Sequence, residues 1–263
     1  MPSLVQVESV SKNYPRRNGL RHEDNFAVRD VTLSIARGET LGLVGESGSG
    51  KSTLARMILG LVEPTSGSIR VAGVEVTPAT IQSLRRQMQP VFQDPSAALD
   101  PRMRVLDIVT EPLIIHRREA SVPAGKAALR TAASELMASV GLDESALARF
   151  PHEFSGGQRQ RINIARALAL KPQFVVLDEP VSALDVSVGA QIVNLLRTLQ
   201  RDHGLTYLFI SHSMPLVRYL STRIAVMERG RLIETGQAEE LCANPKEKYT
   251  RQLLAATPEL PGV

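Results

Sequence analysis

The sequence predicts an α/β fold built on a parallel sheet, with a phosphate-binding loop at one edge of that sheet. Two observations support this prediction. The segment Gly45–Ser52 fits the pattern G-x-x-x-x-G-K-[ST] in every fixed position and lies between an apolar strand and a helix. Short apolar strands then alternate with helical segments, which is typical of a parallel sheet covered on both faces. Ligands of such sheets bind at the carboxyl ends of the strands.

Composition places the chain of 263 residues among globular proteins, with 43% hydrophobic residues and a mean hydropathy of -0.05. No apolar run approaches the ~20 residues of a membrane span, and the first residues lack the layout of a signal peptide, so we expect a cytoplasmic location. The single cysteine, Cys242, excludes an internal disulfide or a four-cysteine cluster within this chain. The net charge of +4 is too small an excess to indicate nucleic acid binding, and it would suit a nearby anionic membrane surface.

The first segments predict strands. Residues 4–10 alternate between apolar and polar and predict an edge strand, residues 11–25 predict a loop, and residues 28–35 predict a second strand. Tyr14 lies in the predicted loop, where its planar ring would be able to stack on adenine. By spacing alone this is a weak indication, because an isolated loop tyrosine is more often a surface anchor.

The phosphate loop comes next and supplies most of the predicted nucleotide contacts. Its glycines let the backbone turn tightly and bring N–H groups to the phosphates, beside the positive end of the following helix. We expect Lys51 to reach the β- and γ-phosphates and the Ser52 hydroxyl to ligate Mg²⁺. The alternative, a flexible Gly/Ser turn, is disfavoured because strand, loop and helix occur in register. The predicted nucleotide-binding residues here are Gly45, Glu46, Ser47, Gly48, Ser49, Gly50, Lys51, Ser52 and Thr53.

The middle of the chain predicts a hairpin and then a helical insert. Residues 68–71 and 74–76 predict the hairpin, and residues 88–92 predict a short strand that ends at Gln93. Residues 105–150 have helical spacing with a break around 121–125.

A strongly helical segment, 155–170, is followed by the apolar run 174–177, which predicts a buried strand. That strand delivers Asp178 and Glu179 at its carboxyl end. Adjacent strand residues face opposite ways, so Asp178 is expected to hold Mg²⁺ through water, while Glu179 accepts a proton from the attacking water. The alternative is that both carboxylates merely cap the next helix.

The remaining chain predicts further alternation. Helices are predicted at 188–201, 214–220 and 246–256, and strands at 205–210, 223–227 and 231–234. His212 and Gln93 each follow an apolar strand, where an imidazole and an amide reach the γ-phosphate or its water. Taken singly, each is a weak signal, and the set with Lys51 and Glu179 makes both candidates for the site.

The start of the 155–170 helix presents a second anion-binding device, with a hydroxyl, glycine N–H groups and a helix N-terminus. One nucleotide does not need two such devices. If two chains pack head to tail, the second device of each closes over the nucleotide held by the other. The residues concerned are Ser155, Gly156, Gly157 and Gln158.

These motifs together resemble an ABC-type ATPase over nearly the whole chain. The matches are Walker A at 45–52, Walker B at 174–179, the signature motif at 154–158, the Q-, D- and H-loops at Gln93, Ser182–Asp185 and His212, and the adenine-stacking position at Tyr14. The resemblance implies an ATP-sandwich dimer in which Glu179, His212 and Lys51 are catalytic, with Ser52, Gln93 and Asp178 serving Mg²⁺.

The resemblance also implies an architecture. A P-loop NTPase core with a parallel sheet would carry an antiparallel β subdomain and an inserted α-helical subdomain at about 100–170. We expect the ATPase domain to span 1–240 and a C-terminal extension to span 241–263.

Two further stretches resemble the dipeptide, oligopeptide and nickel importers. Residues 91–103 are similar to the extended Q-loop of that group, and residues 244–245 together with 249–256 are similar to its C-terminal extension. The resemblance implies an ATP-hydrolysing subunit of a bacterial importer for di- or oligopeptides, at the cytoplasmic face of the inner membrane. Its partners would be two membrane-spanning permease subunits, a second ATPase subunit, identical or not, and indirectly an extracytoplasmic solute-binding protein, with no nucleic acid.

Three departures from the family pattern stand out. Phe154 replaces the usual leucine of the signature, Ser213 follows His212 where an aspartate is usual, and Cys242 alone cannot form the iron–sulfur centre of some relatives. The alternatives are an importer of nickel or of another small solute, such as an opine-like or sugar-derived compound, a soluble ABC ATPase outside transport, and a catalytically silent partner subunit.

Overall fold

The computed structural model describes residues 3–18, 21–116 and 125–256. Within these ranges the strands are β1 Ser3–Asn13, β2 Arg16–Asn18, β3 Arg21–Glu23, β4 Phe26–Ala36, β5 Thr40–Val44, β6 Ser66–Val71, β7 Val74–Glu75, β8 Met88–Val91, β9 Phe174–Asp178, β10 Thr206–Ile210, β11 Arg223–Glu228 and β12 Arg231–Gln237. The α-helices are α1 Lys51–Ile58, α2 Ile81–Leu84, α3 Pro95–Ala98, α4 Val105–Ile115, α5 Lys126–Ser139, α6 Gly156–Leu168, α7 Val186–His203, α8 Met214–Leu220, α9 Ala238–Ala243 and α10 Lys248–Ala255. Short 3-10 helices cover Glu144–Ala148 and Pro151–Glu153.

The central sheet has six strands in the order β12-β11-β5-β10-β9-β8. Five of them run parallel, and β12 pairs antiparallel with β11 at one end. The predicted parallel sheet is therefore confirmed. The carboxyl ends of β5, β10, β9 and β8 lie along one edge, so the segments that follow these strands are brought together there.

The residues of the central strands alternate between two hydrophobic cores. On β9, Phe174 and Val176 belong to one buried cluster, while Val175 and Leu177 belong to the other. A sheet buried on both faces requires apolar side chains at every strand position, which explains the uninterrupted apolar run that marked this strand in the sequence. The first cluster is shared with α1 and the antiparallel sheet, and the second with the helical insert.

A second sheet is antiparallel, with strands in the order β4-β1-β6-β7. The prediction of a loop at 11–25 was wrong, because β1 continues to Asn13, and Arg16–Asn18 and Arg21–Glu23 pair as the two-stranded ribbon β2-β3. The pairing of β1 with β4 shifts register several times, and Ser9 and Asp30 have left-handed backbone conformations. Such irregularities interrupt strict alternation, which hides the continuation of the strand from a period-two pattern.

The helical insert lies between β8 and β9 and contains α4, α5 and α6. Its core includes Val109, Met137 and Ile162, which are fully buried. The predicted break at 121–125 lies outside the described residues except for Gly125, which precedes α5 with a φ of +90°.

The C-terminal part follows β12 with two helices where the sequence predicted one. The short helix α9 was missed, and the last helix begins at Lys248 rather than at 246. Cys242 of α9 is half-buried against the larger core, and burial raises the pKa of its thiol. Across the described residues, none of the helices combines the length and apolar character needed to cross a membrane.

Candidate nucleotide-binding site

Four segments converge at the carboxyl edge of the central sheet. The β5–α1 segment carries Lys51, β9 ends in Asp178, and His212 follows β10, which lies between β5 and β9. Gln93 follows β8 at the outer end of the same edge and is exposed. The topology therefore gathers at one edge the residues that follow these four strands.

The side chain of Lys51 makes hydrogen bonds within the phosphate loop. The Lys51 ammonium donates hydrogen bonds to the carbonyl oxygens of Gly45 at 2.7 Å and Glu46 at 2.8 Å, and to Ser49 Oγ at 3.3 Å. Gly50 has a φ of +104°, and a Cβ built there would lie 2.2 Å from the carbonyl oxygen of Ala27. Only glycine fits this position, because the backbone conformation and the close approach each exclude a side chain.

The Lys51 side chain is buried. Burial lowers the pKa of Lys51, while the carboxylates of Glu179, Asp178 and Glu46 oppose that shift. The buried ammonium is the group that favours an anionic ligand here, because electrostatic interactions strengthen as the local dielectric constant falls.

Ser52 and Asp178 lie side by side. The Ser52 hydroxyl donates to Asp178 Oδ1 across 3.2 Å. Burial raises the pKa of Asp178, and the hydrogen bond from Ser52 opposes that shift. A hydroxyl and a carboxylate are the hard oxygen donors that Mg²⁺ prefers, so this pair fits the predicted ion.

Glu179 lies next to His212, with 3.5 Å between Glu179 Oε2 and His212 Nδ1. The expectation that Glu179 is a strand residue was wrong, because β9 ends at Asp178 and Glu179 has a φ of +49°. Its N–H still donates to the carbonyl of Ile210 at 2.9 Å. Asp178 and Glu179 therefore have different neighbours because the backbone bends after β9, and not because adjacent residues of a strand alternate in direction.

The alternative that Asp178 and Glu179 cap the next helix is excluded. The N-cap of α7 is Asp185, whose carboxylate accepts the N–H of Val188 at 2.9 Å.

The segment Ser155–Gln158 opens α6 with a capping box. Ser155 Oγ accepts the N–H of Gln158 at 3.3 Å, and the Gln158 side chain accepts the N–H of Ser155 at 3.0 Å. Both side chains are exposed, while Gly157 is buried. A Cβ on Gly157 would lie 2.4 Å from Val188 Cγ1, so α6 begins in direct contact with the first turn of α7.

Tyr14 follows β1 and presents an exposed ring. Tyr14 is 43% exposed, and the Lys12 ammonium lies 5.2 Å from the centroid of its ring. A half-exposed aromatic face beside a cation offers a surface on which a planar base can stack.

Comparison with known families identifies the protein family of this chain. The family model described as ABC transporter matches residues 28–182, which is more than half of the chain. The chain belongs to the ABC transporter family. The matched range contains the phosphate loop, the helical insert, Asp178 at the end of β9 and Glu179 after it.

Among ABC transporter relatives, the oligopeptide transport ATP-binding protein OppF of Bacillus subtilis is 50% identical over 97% of this chain and 82% of the relative. The glutathione import ATP-binding protein GsiA of Escherichia coli K12 is 48% identical over 97% of this chain. The chain spans only 41% of that longer relative. A dimeric structure of the ATP-binding cassette MJ0796 with ADP and Pi superposes with a TM-score of 0.78 at 32% identity, covering 89% of this chain and 98% of that one.

Two departures from the ABC pattern have clear local environments. Phe154 is buried, and the Arg149 guanidinium lies 4.3 Å from its ring centroid, so the larger side chain is accommodated by the insert. The N–H of Ser213 donates to Ser211 Oγ at 3.1 Å, which places Ser213 in the turn that leads from His212 into α8.

One contact of the phosphate loop was missed by sequence reasoning. Tyr249 of α10 accepts the N–H of Glu46 at 2.9 Å, across 203 positions of the chain. Tyr249 fell within a stretch singled out only as a C-terminal extension, and no local pattern indicates which distant backbone group its hydroxyl meets.

Proposed function

We propose that this chain is the ATP-hydrolysing subunit of a bacterial ABC importer for di- and oligopeptides. The observation that carries the proposal is the convergence of Lys51, Glu179 and His212 at the ends of three adjacent parallel strands. Such an arrangement surrounds a γ-phosphate with an ammonium, a carboxylate base and an imidazole. The similarity to oligopeptide and glutathione import proteins supports peptides as cargo.

ATP would bind with its phosphates in the loop Gly45–Ser52 and Thr53, and with adenine on Tyr14. Lys51 would exchange its bonds to loop carbonyls for bonds to the β- and γ-phosphates. Glu179 would take a proton from the attacking water, and His212, 3.5 Å away, would hold the γ-phosphate as charge develops. Ser52, Asp178 and Gln93 would hold Mg²⁺, which neutralises phosphate charge when bound.

Hydrolysis would require two subunits. The capping box leaves Ser155 and Gln158 exposed at the start of α6, ready to face a ligand outside the subunit. In a head-to-tail dimer, Ser155, Gly156, Gly157 and Gln158 of one subunit would close over the nucleotide in the loop of the other. The likeness to the dimeric MJ0796 cassette supports this arrangement.

An apolar groove beside the helical insert offers a docking surface for a permease subunit. The groove has a volume of about 440 Å³, and Leu61, Phe92 and Ile115 line it with exposed apolar side chains. The ion pair between Arg166 and Glu111, at 2.7 Å, lies among its lining residues. Exposed apolar surface rimmed by charge is typical of an interaction site, and Phe92 directly precedes Gln93.

The groove would connect the nucleotide-binding dimer to the membrane subunits during the proposed cycle. Closing and opening of the ATP sandwich would reach the membrane subunits through Gln93 and the residues up to Met103. The subunit would lie at the cytoplasmic face of the inner membrane, with a second ATPase subunit, two permeases and, indirectly, a solute-binding protein outside.

The test is recovery of tagged Glu179→Gln protein from detergent-solubilised membranes in the presence of ATP. We expect two polytopic membrane proteins and one ATPase partner, followed by peptide uptake that depends on this subunit. A matched pair of variants locates the docking surface: Phe92→Glu, in the groove and 40% exposed, should lose the permeases, whereas Val74→Glu, 38% exposed on β7, should keep them.

Two results would contradict the proposal. Recovery of soluble proteins or nucleic acid alone would overturn the transport function and leave ATP hydrolysis standing. Equal permease recovery with both glutamate variants would remove the groove as the docking surface.

A further inference from the structure

The phosphate loop is contacted at two points by the chain that follows β11. The N–H of Glu46, near the start of the loop, donates to the Tyr249 hydroxyl oxygen at 2.9 Å. The N–H of Gly230, in the β11–β12 turn, donates to the carbonyl oxygen of Ser49 at 3.0 Å. The same turn is tied to β4, because Arg29 donates its N–H to the carbonyl of Gly230 at 2.8 Å.

Tyr249 is held in place by its own surroundings. The carboxylate of Glu234 on β12 accepts the N–H groups of Lys246 at 2.8 Å and Glu247 at 3.1 Å, which anchors the start of α10. Arg251 donates to the carbonyl of Lys246 at 2.8 Å and so closes the same turn. The Tyr249 ring packs against the larger hydrophobic core. The hydroxyl is thus a fixed acceptor, not a mobile surface group.

The chemistry of a phenol suits this position. A carboxylate in the same place would accept the Glu46 N–H but would bring negative charge to a site that takes phosphates. Burial raises the pKa of Tyr249, and Glu46 and Glu228 raise it further while the hydrogen bond from Glu46 opposes them, so the acceptor stays uncharged. An uncharged acceptor orients the loop backbone without electrostatic cost to the ligand.

The direction of the Glu46 amide matters for the rest of the loop. Because this N–H points to α10, the loop leaves β5 along a defined path, and the N–H of Ser49 then donates back to the carbonyl oxygen of Glu46 at 3.1 Å. Binding to a preorganised loop is stronger than binding to one that must first be ordered.

We propose that Tyr249 is a positioning residue for the phosphate loop, and that the segment from Gly230 to α10 thereby sets the affinity of this subunit for ATP. The inference rests on the proposed ATP site at Gly45–Ser52. It concerns the isolated subunit, so it does not depend on which permease or cargo the complex uses.

The test is Tyr249→Phe in the full chain, which removes one oxygen and keeps the ring. We expect the Kd for ATP, measured by displacement of a fluorescent nucleotide, to rise about three- to ten-fold, the effect of one net hydrogen bond. The KM for ATP should rise by a similar factor while kcat at saturating ATP stays unchanged. The urea unfolding midpoint shows whether the fold is intact.

The matched control is Tyr219→Phe. Tyr219 lies on α8 and donates its hydroxyl to Asn194 Oδ1 at 2.6 Å, so this change also removes a tyrosine hydrogen bond, away from the loop. Its Kd for ATP should equal that of the wild type. Unchanged affinity in Tyr249→Phe, or equal weakening in both variants, would overturn the inference. Absence of ATP binding in the wild type would instead overturn the proposed function.

Discussion

The phosphate loop and the start of α6 are the two segments that we propose bind the phosphates of ATP, yet they differ in how they are held. The loop Gly45–Ser52 is bonded internally through Lys51 and externally through Gly230 and Tyr249. The side chains of Ser155 and Gln158 each accept the backbone N–H of the other residue, and both side chains are exposed. The loop is therefore ordered by contacts within the subunit, whereas the start of α6 would meet its proposed ligand only when a second subunit presents it.

This contrast separates two kinds of experiment. Changes in the loop should alter nucleotide binding by the isolated subunit. Changes at the start of α6 should leave nucleotide binding by the isolated subunit intact and alter only the ATP-dependent association of two subunits. Four variants, in order of expected effect, test the separation.

Glu179→Gln should lower ATP turnover by about 100- to 10,000-fold, because an amide cannot accept the proton of the attacking water. Both anion-binding segments remain intact, so ATP-dependent dimers should persist and outlast those of the wild type. Phosphate release and size-exclusion chromatography with ATP measure the two quantities. Glu239→Gln, which changes an exposed glutamate paired with Arg218, is the control. Near-normal hydrolysis would remove Glu179 from its role.

Lys51→Ala should weaken ATP binding by the isolated subunit about 10- to 100-fold, since charge-assisted hydrogen bonds to phosphate are lost. Titration with a fluorescent nucleotide measures the change. Lys126→Ala, at the exposed start of α5, removes the same charge elsewhere and should bind as the wild type does. Unchanged affinity in Lys51→Ala would count against a cradle built on this lysine.

Ser155→Ala should leave ATP binding by the monomer unchanged and weaken the ATP-dependent dimer about ten-fold, because one hydroxyl contact to a charged ligand is lost on each side. The variant also loses an N-cap, which costs roughly 1 kcal/mol of stability. Asp143→Ala controls for that cost, since Asp143 caps a 3-10 helix by accepting the Ser145 N–H at 2.9 Å. Analytical ultracentrifugation with ATP should show a weaker dimer only in Ser155→Ala. If the Ser155→Ala monomer also bound ATP more weakly, the proposed difference between the two segments would be wrong.

Tyr14→Ala should weaken ATP binding by the isolated subunit about two- to ten-fold through loss of base stacking. Tyr14→Phe keeps the ring and should bind normally, so the pair separates stacking from hydrogen bonding by the hydroxyl. A loss in Tyr14→Phe equal to that in Tyr14→Ala would show that the ring face is not what the nucleotide uses.

The sequence predicted best those elements whose pattern is local. Helix α8 was predicted with its observed bounds, 214–220, and the buried strand β9 was placed within one residue. Both are short segments with clear stop signals. The ribbon β2-β3 and the extension of β1 were missed because their residues are polar and their stability comes from pairing with other strands.

The site followed the same rule. Motif residues at strand ends were predicted because parallel topology brings strand ends together whatever the details. The left-handed conformation of Glu179 and the contact of Tyr249 with Glu46 were not predictable, since both depend on tertiary packing between distant segments. Spacing within one segment carries no information about such contacts.

The contact between Gly157 and Val188 has a mechanical consequence. Because α6 begins within van der Waals reach of the first turn of α7, the start of α6 cannot shift without displacing that turn. From α7 the chain runs back to Glu179 through only residues 180–185. In the proposed head-to-tail pair, movement of α6 away from the neighbour's nucleotide would therefore also displace Glu179 of the same subunit, which would couple the two nucleotide sites mechanically.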